Sequence, residues 1–309
     1  MFSFFTQPKC PRAALGVESG ALTCVSLRKE SAGRFGVDQA ATVHLPESIL
    51  NPDFSEINIA NAAVFSEALT ECATAAGLLG QQKWSASLPG GATRSAILTV
   101  GAGGAGKSES QEIFDWKVEQ AFGFPASELR VSSQKISADT DGKTRYFASA
   151  VKLAVIDEYE TVFESLGWRV GLVLPRAVSE SQWLLGSSAI ADSLLISGQE
   201  NGFTAFLLRE GEPMVVRSVT CASGEIDDEV YRLLLFYNDR FADDGPRLMD
   251  RLLVVGRGFL PQKLREISAD ALGRPLRIMN ADDAGLNVPP GMNFDDLAAP
   301  AGLASLAFA

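Results

Sequence analysis

The order of secondary-structure patterns near the start of the chain recurs in its second half, and this repeat constrains the fold most strongly. Each copy begins with three apolar or alternating runs separated by turn signals, which predict an antiparallel meander, and continues as helix, strand and helix. The first meander comprises Ala13–Glu18, Ala21–Leu27 and Phe35–Leu45, and the second comprises Ser193–Ser197, Gly202–Leu208 and Pro213–Val219. The copies align on Glu18-Ser19-Gly20 and Ile196-Ser197-Gly198. We therefore predict a duplicated α/β fold with a cleft between two lobes.

The residues between the two copies follow a different pattern and predict an inserted small α+β subdomain at 85–165. This block has its own strand, a glycine-rich loop and an amphipathic helix. We expect 1–84 and 166–190 to form the first lobe, and 191–309 to form the second. Only one helix is predicted between the second meander and the strand that follows it, so the outer part of the second lobe should be small.

Composition and charge narrow the classes of function. With 27 basic and 38 acidic residues the chain carries a formal charge of −11, which disfavours binding to phosphate backbones, so we expect no nucleic-acid partner. No apolar run approaches the roughly 18 residues of a membrane span. The start of the chain is too short and interrupted for a signal peptide. We therefore expect a cytoplasmic protein that does not itself cross a membrane.

Residue counts also argue against metal and imidazole chemistry. The single histidine, His44, lies in an alternating run and is interpreted as a strand residue. The four cysteines are far apart in sequence and form no CxxC pair, so neither a zinc site nor a disulfide framework is predicted. We expect no metal site built from these residue types.

One short motif indicates nucleotide binding by itself. Gly101–Ser108 reads GAGGAGKS and matches the P-loop pattern G-x-x-x-x-G-K-[ST], between a predicted strand and a predicted helix. In that hypothesis backbone N–H groups around Gly106 hold phosphates, Lys107 reaches their oxygens and Ser108 ligates Mg²⁺. A later fragment, LAVIDE, would supply the accompanying acid.

Three observations favour a simple connecting loop at GAGGAGKS. A chance match is on the order of one per cent at this composition, and it is more frequent in a Gly/Ala-rich stretch. The acids of LAVIDE lie early in a predicted helix, where they complement the helix dipole, and not at the end of a buried strand. The block is also too small to contain a complete P-loop domain. A P-loop NTPase is kept as an alternative.

Six segments, taken in order, resemble a known family. They are Pro11–Leu27, Ile113–Leu129, Phe147–Leu185, Leu194–Arg217, Arg251–Leu264 and Gly302–Ala309. Their order and spacing resemble the PilM group of actin-like proteins of type IV pilus assembly, relatives of the cell-division protein FtsA. The first and fourth segments resemble the two phosphate loops of that family, the fifth resembles its glycine pair beside the adenosine, and the sixth resembles its last helix of small residues.

The resemblance implies an actin-like (ribonuclease H-like) two-lobe fold, with ATP and Mg²⁺ between the lobes. It also implies a cytoplasmic role that is peripheral to the inner membrane. There the protein would bind the short N-terminal segment of a PilN-like membrane protein, which belongs to the assembly platform. A related secretion platform fits the same motifs, and the formation of homo-oligomers is left open.

Carried over residue by residue, the resemblance assigns a nucleotide site. Its members would be Glu18 as the catalytic carboxylate, with Gly20, Ala21, Thr23, Gly198, Gln199, Gly202, Gly256 and Gly258 around the cofactor. The second loop of the family usually has an Asp where Ile196 stands, and an aliphatic side chain cannot hold a Mg²⁺-bound water. We therefore expect a degenerate site without efficient catalysis, and an active actin-like ATPase is the alternative.

The expected activity is then binding to another protein. Phe114, Val118 and Phe122 form an apolar helix face in the inserted subdomain, and we expect this face to bind the partner segment. The alternative is that the same side chains form the core of the subdomain.

Overall fold

The computed structural model describes residues 10–101, 107–139, 141–185, 191–241, 249–256 and 258–309. The strands are β1 (Ala13–Glu18), β2 (Ala21–Ser31), β3 (Arg34–His44), β4 (Lys83–Leu88), β5 (Arg94–Val100), β6 (Leu129–Ile136), β7 (Thr144–Lys152), β8 (Arg169–Pro175), β9 (Asp192–Gln199), β10 (Gly202–Arg209), β11 (Glu212–Thr220), β12 (Met249–Val255), β13 (Arg277–Ile278) and β14 (Leu286–Asn287). The helices are α1 (Ala62–Ala75), α2 (Lys107–Phe122), α3 (Leu153–Ser165), α4 (Arg176–Leu185), α5 (Ile226–Phe241), α6 (Pro261–Leu272) and α7 (Phe294–Ser305).

A six-stranded sheet of order β14-β3-β2-β1-β4-β8 forms the first lobe. β1, β2 and β3 pair antiparallel, as predicted. The turn Ser19-Gly20 closes the first hairpin, because Glu18 pairs directly with Ala21. β4 and β8 extend the sheet in parallel. Such a mixed sheet needs helical crossovers between its parallel strands, and these place helices on its faces.

The second lobe repeats this topology in a five-stranded sheet of order β11-β10-β9-β12-β13. β9, β10 and β11 form the antiparallel meander, and β12 and β13 continue it in parallel. α5 and α6 pack together and bury Val230, Leu234 and Leu264 in one cluster with Ile196 and Phe203 of the sheet. The predicted duplication of the fold is confirmed.

Two helices lie between the sheets and join the lobes. α4 packs on β9 and β10, whereas α7 packs on β1 and β2. The helices cross closely at Gly302, where an added Cβ would lie 3.0 Å from the carbonyl carbon of Ser179 and closer still to its oxygen. The indole N–H of Trp183 donates to the carbonyl of Ala298 at 2.7 Å across the same crossing. A single hydrophobic cluster therefore runs from one sheet to the other.

The last part of the chain returns to the first lobe. β14 pairs in parallel with β3, and α7 covers β1 and β2. The segment 191–309 therefore supplies the second sheet and, in addition, an edge strand and a covering helix of the first lobe.

The inserted subdomain is a three-stranded antiparallel sheet of order β5-β7-β6 that α2 covers. β4 belongs to the first-lobe sheet, and α3 buries Val155, Tyr159 and Phe163 in the first-lobe core. The subdomain therefore comprises β5 to β7 with α2. The expected range 85–165 differs from it because that range cuts β4 and includes α3.

Candidate functional site

Charged side chains meet between the lobes at the ends of β1, β8 and β9. Glu18 is the last residue of β1, and Arg176, directly after β8, is the first residue of α4. The buried Arg176 guanidinium donates to Glu18 at 2.7 Å and, through Nε, to Glu180 at 2.6 Å. It also donates to the carbonyl oxygen of Gly198 in β9 at 3.1 Å. Glu18, Arg176 and Glu180, with the neighbouring Asp295 of α7, form what we call the inter-lobe ion cluster.

Several carboxylates share one guanidinium in this cluster. Burial raises the pKa of Glu18 to about 7, although Arg176 opposes the shift, and Glu180 and the acids of α7 add to it. Burial also raises the pKa of Glu180 and that of Asp295. Burial by itself would lower the pKa of Arg176, but Glu180 and Glu18 outweigh it and raise that pKa. The guanidinium is therefore a permanent cation that offsets repulsion among the acids.

Strand alternation decides which residues of β9 reach the cleft. Ile196 is buried in the outer core of the second lobe. Its neighbour Leu195 faces the central cluster between the sheets, as Ala14 of β1 does. The hairpins close with Glu18 and Gln199 at equivalent positions. The expected alignment of Ile196 with Glu18 is therefore wrong, because the second hairpin turns three residues later and reverses which face Ile196 occupies.

Two of the predicted glycines serve contacts between backbone segments. An added Cβ at Gly198 would lie 2.7 Å from the ring of Phe259, and one at Gly256 would lie 3.1 Å from the Cα of Gly198. The N–H of Gly256 donates to the carboxylate of Asp295 at 3.2 Å. These residues bring the segment after β12 against the end of β9, where a nucleotide was expected.

The other predicted nucleotide residues have varied surroundings. Gly20 and Gly258 are exposed, and Ala21 is half-buried. Thr23 is buried, and its hydroxyl oxygen lies 3.0 Å from that of Thr42. Gly202 closes the β9–β10 hairpin at a φ of +126°. The positive φ and the nearby β11 backbone are sufficient reasons for glycine at position 202.

The basic side chain that the described residues place in the cleft already serves acceptors of the chain itself. Phosphate oxygens accept hydrogen bonds, so their sites present N–H groups, basic side chains or Mg²⁺. Arg176 already donates to Glu18, Glu180 and the backbone of Gly198. The buried atoms without partners at this place, Oε2 of Glu180 and Oε1 of Gln199, are acceptors. In the described part of the chain no three His, Cys, Asp or Glu side chains are placed to hold a metal ion. The described side chains at this place therefore do not fit ATP and Mg²⁺.

The described ends of the GAGGAGKS motif belong to the inserted subdomain, since Gly101 directly follows β5 and α2 begins at Lys107. Gly106 lies outside the described residues, and Lys107 and Ser108 are the first residues of α2. The preceding strand, β5, pairs antiparallel with β7, whereas a P-loop follows a strand of a parallel α/β sheet. LAVIDE begins α3, as predicted, and Glu158 accepts hydrogen bonds from two backbone N–H groups of the loop before α1, each at 2.9 Å.

The helix face expected to bind a partner is buried. Val118 and Phe122 are each 1% exposed, and Phe114 packs edge-on against Tyr146 with ring centroids 5.4 Å apart. Val118 and Phe122 belong to the core of the inserted subdomain, and the half-buried Phe114 and Tyr146 pack against it. The expectation of a binding surface at these residues is therefore wrong, and the alternative of a subdomain core is confirmed. The outward face of α2 carries Trp116 instead, which is 54% exposed.

Sequence reasoning missed Arg176, Glu180 and Asp295. A signal for the first two was present, since an Arg and a Glu stand four residues apart at the start of a helix that follows an apolar strand directly. Asp295 offered no such signal, because its approach to the other two depends on the return of α7 to the centre of the molecule.

Two sheets of repeated topology, with two helices between them and charged residues at the facing strand ends, define the actin-like (ribonuclease H-like) two-lobe fold. The expected fold class is confirmed.

Comparison with known proteins agrees with this fold. The chain is similar to a chain of the PilM–PilN type IV pilus biogenesis complex, with a TM-score of 0.76 and 15% identity over 98% of this chain and 100% of that chain. It also matches the cytoplasmic domain of EpsL, an inner-membrane component of the type II secretion system of Vibrio cholerae, with a TM-score of 0.49 and 8% identity over 96% and 94%. No protein-family model matches the chain, and no curated protein matches it by sequence. The likeness is therefore one of fold.

Proposed function

We propose that this chain is a cytoplasmic scaffold of an inner-membrane assembly platform, for type IV pili or a related secretion system. It binds a short cytoplasmic segment of a PilN-like membrane protein. The fold shared with a chain of the PilM–PilN complex supports this function. In the described part of the chain no helix is long and apolar enough to cross a membrane, which suits attachment through a partner.

One observation carries the proposal of a scaffold over that of an ATPase. The carboxylate predicted for catalysis, Glu18, accepts a hydrogen bond of 2.7 Å from the Arg176 guanidinium. A carboxylate held in this way has its negative charge offset and one oxygen engaged, so it is poorly placed to position a metal ion or an attacking water. We infer that the chain neither hydrolyses ATP nor needs it to bind its partner.

The edge of β6 is the surface that we assign to the partner segment. Among the described residues β6 pairs with β7 alone, so its other edge presents unpaired N–H and C=O groups. The side chains from Ser132 to Lys135 are exposed. Arg130, also on β6, donates to Glu160 of α3 at 2.9 Å and fixes this edge beside the first lobe. An extended peptide can add to such an edge through its main chain.

Titration of the full chain with a fluorescent peptide tests the proposal, the peptide being the N-terminal cytoplasmic segment of the PilN-like protein from the same organism. Ser132→Pro and Ser133→Pro form a matched pair, because adjacent residues direct their N–H groups to opposite edges of a strand. One variant removes a bond to β7 and loses stability, and the other removes a free edge donor. We expect the variant that keeps wild-type thermal stability to lose peptide binding.

A scrambled peptide is the control for the titration. If the stable proline variant binds as tightly as the wild type, β6 is not the site. If the wild type fails to bind at high micromolar peptide, the chain does not recognise this class of partner.

A further inference from the structure

Groups of the chain itself span the cleft between the lobes. Arg176 donates to Glu18 at the end of β1 and to the carbonyl of Gly198 near the end of β9, so one guanidinium contacts both sheets. The next residue of β9, Gln199, reaches the first lobe at Gly90, where an added Cβ would overlap with the side-chain oxygen of Gln199. The two hairpin regions are therefore linked by direct contacts.

The position of the Arg176 guanidinium is fixed from its own helix. Glu180, which follows one turn later in α4, is 0% exposed and accepts from Nε of Arg176 at 2.6 Å. Arg176 itself is 6% exposed. A buried guanidinium has lost its hydration, so each of its acceptors must stay in place to compensate. Separation of the lobes would remove Glu18 or Gly198 from this set.

We infer that Arg176 is a positioning residue that stands in for a bound ligand, and that its guanidinium couples the two hairpin regions and keeps the cleft closed without nucleotide. The inference rests on the proposed absence of nucleotide from the cleft. A ligand that bridges two lobes holds them together only while it is bound. A bridge built from the chain's own side chain is always present, so the lobes stay in one arrangement at every nucleotide concentration.

The arrangement requires a guanidinium and not only a positive charge. Nε serves Glu180, while Nη1 serves both Glu18 and Gly198. A lysine has one compact ammonium group and cannot donate from two separated nitrogens of a planar fork. Arg176→Lys is therefore expected to resemble Arg176→Ala.

Hydrogen exchange measured by mass spectrometry on the full chain tests this inference. The amides to follow are those of the first hairpin at 18–21 and of the second at 198–202. In Arg176→Ala we expect both sets to exchange at least about tenfold faster than in the wild type, because the link between the lobes is lost. Millimolar guanidinium chloride, far below denaturing concentrations, should slow exchange again in this variant, whereas equal sodium chloride should not.

Two further variants keep the test decisive. Glu18→Ala removes the Arg176–Glu18 ion pair but leaves Glu180 and the Gly198 carbonyl as acceptors of the guanidinium, so it answers the question if Arg176→Ala does not fold. Arg130→Ala removes an exposed ion pair elsewhere and should leave both hairpins unchanged. Unchanged exchange in Arg176→Ala, or in Glu18→Ala if the first variant does not fold, overturns the inference.

Addition of MgATP to the wild type separates this inference from the proposed function. No change in hairpin exchange supports both. Slower exchange at both hairpins would place nucleotide in the cleft and overturn the proposed ATP-independent scaffold together with the inference. If MgATP has no effect on the wild type and hairpin exchange in Arg176→Ala equals that of the wild type, only the inference about Arg176 is overturned and the proposed function stands.

Discussion

Replacement of Gly302 by alanine tests the closest contact between the two central helices. Gly302 lies inside α7, and its lack of a side chain allows the backbone of α4 to approach. An added Cβ would lie 3.0 Å from the carbonyl carbon of Ser179 and closer still to its oxygen. Ordinary contact begins at 3.4 Å, so the helices would have to separate by about half an ångström or more.

Two contributions of opposite sign set the size of the effect. Alanine stabilises a helix interior by about 1 kcal/mol relative to glycine. Overpacking of a well-packed contact costs about 1–3 kcal/mol, and the upper value applies here because the opposing atoms are helix backbone and cannot rotate away. We therefore expect a net loss of about 2 kcal/mol, which lowers the midpoint of thermal unfolding by roughly 3 °C.

Unfolding in urea, followed by tryptophan fluorescence, measures this loss directly, since Trp183 lies at the crossing and donates to Ala298. Gly224→Ala is the matched control, because no heavy atom lies within 4 Å of a Cβ added there. The control should stay within about 0.5 kcal/mol of the wild type. If Gly302→Ala is as stable as the wild type or more stable, the helices do not approach closely and the reasoning is refuted.

Three further predictions concern charged residues. Asp192 is fully buried and accepts two hydrogen bonds from Arg209, at 2.9 and 2.7 Å, and one from the Tyr237 hydroxyl at 3.1 Å. Asp192→Asn should therefore lower the free energy of unfolding by about 3 kcal/mol, and unchanged unfolding in urea would contradict this. The pKa of Glu18 rises from 4.5 to about 7 on folding, so the folded state binds more protons between these pH values and its stability falls as the pH rises through them. Glu18→Gln should flatten that part of the profile of unfolding midpoint against pH. Identical profiles for the variant and the wild type would refute the assignment. Lys107→Ala should behave as the wild type in thermal unfolding with and without MgATP. The P-loop alternative would be restored if MgATP at a hundredfold excess over Kd stabilised the wild type by about 2.7 kcal/mol but did not stabilise the variant.

The strands were the most predictable part of the fold. The run Ala13–Glu18 is apolar and ends at a turn signal, and it forms β1 with the same bounds. Such signals are local, since a short apolar run bounded by turn residues is typical of a buried strand. The bounds of the inserted subdomain were less predictable. β4 and β5 are both short and apolar, and the sheet that each joins depends on partners far away in sequence.

The candidate site was predicted only in part. Glu18 and Gly198 do meet at the cleft, through Arg176. Ile196 was placed there by motif alignment, but its side chain is buried in the outer core. A shift of three residues in the position of a hairpin turn reverses which face a strand residue occupies, and a motif without the turn geometry cannot reveal that shift.

The sequence by itself determined the class of fold, because the duplication, the alternation of the strands and the turn residues are properties of neighbouring positions. Only the tertiary structure decided what lies between the lobes. Arg176 is separated by 158 residues from Glu18 and by 22 from Gly198, and these groups meet because the sheets pack on opposite sides of α4 and α7. Whether a buried charge finds its partners depends on such distances in space, and residue order alone does not contain them.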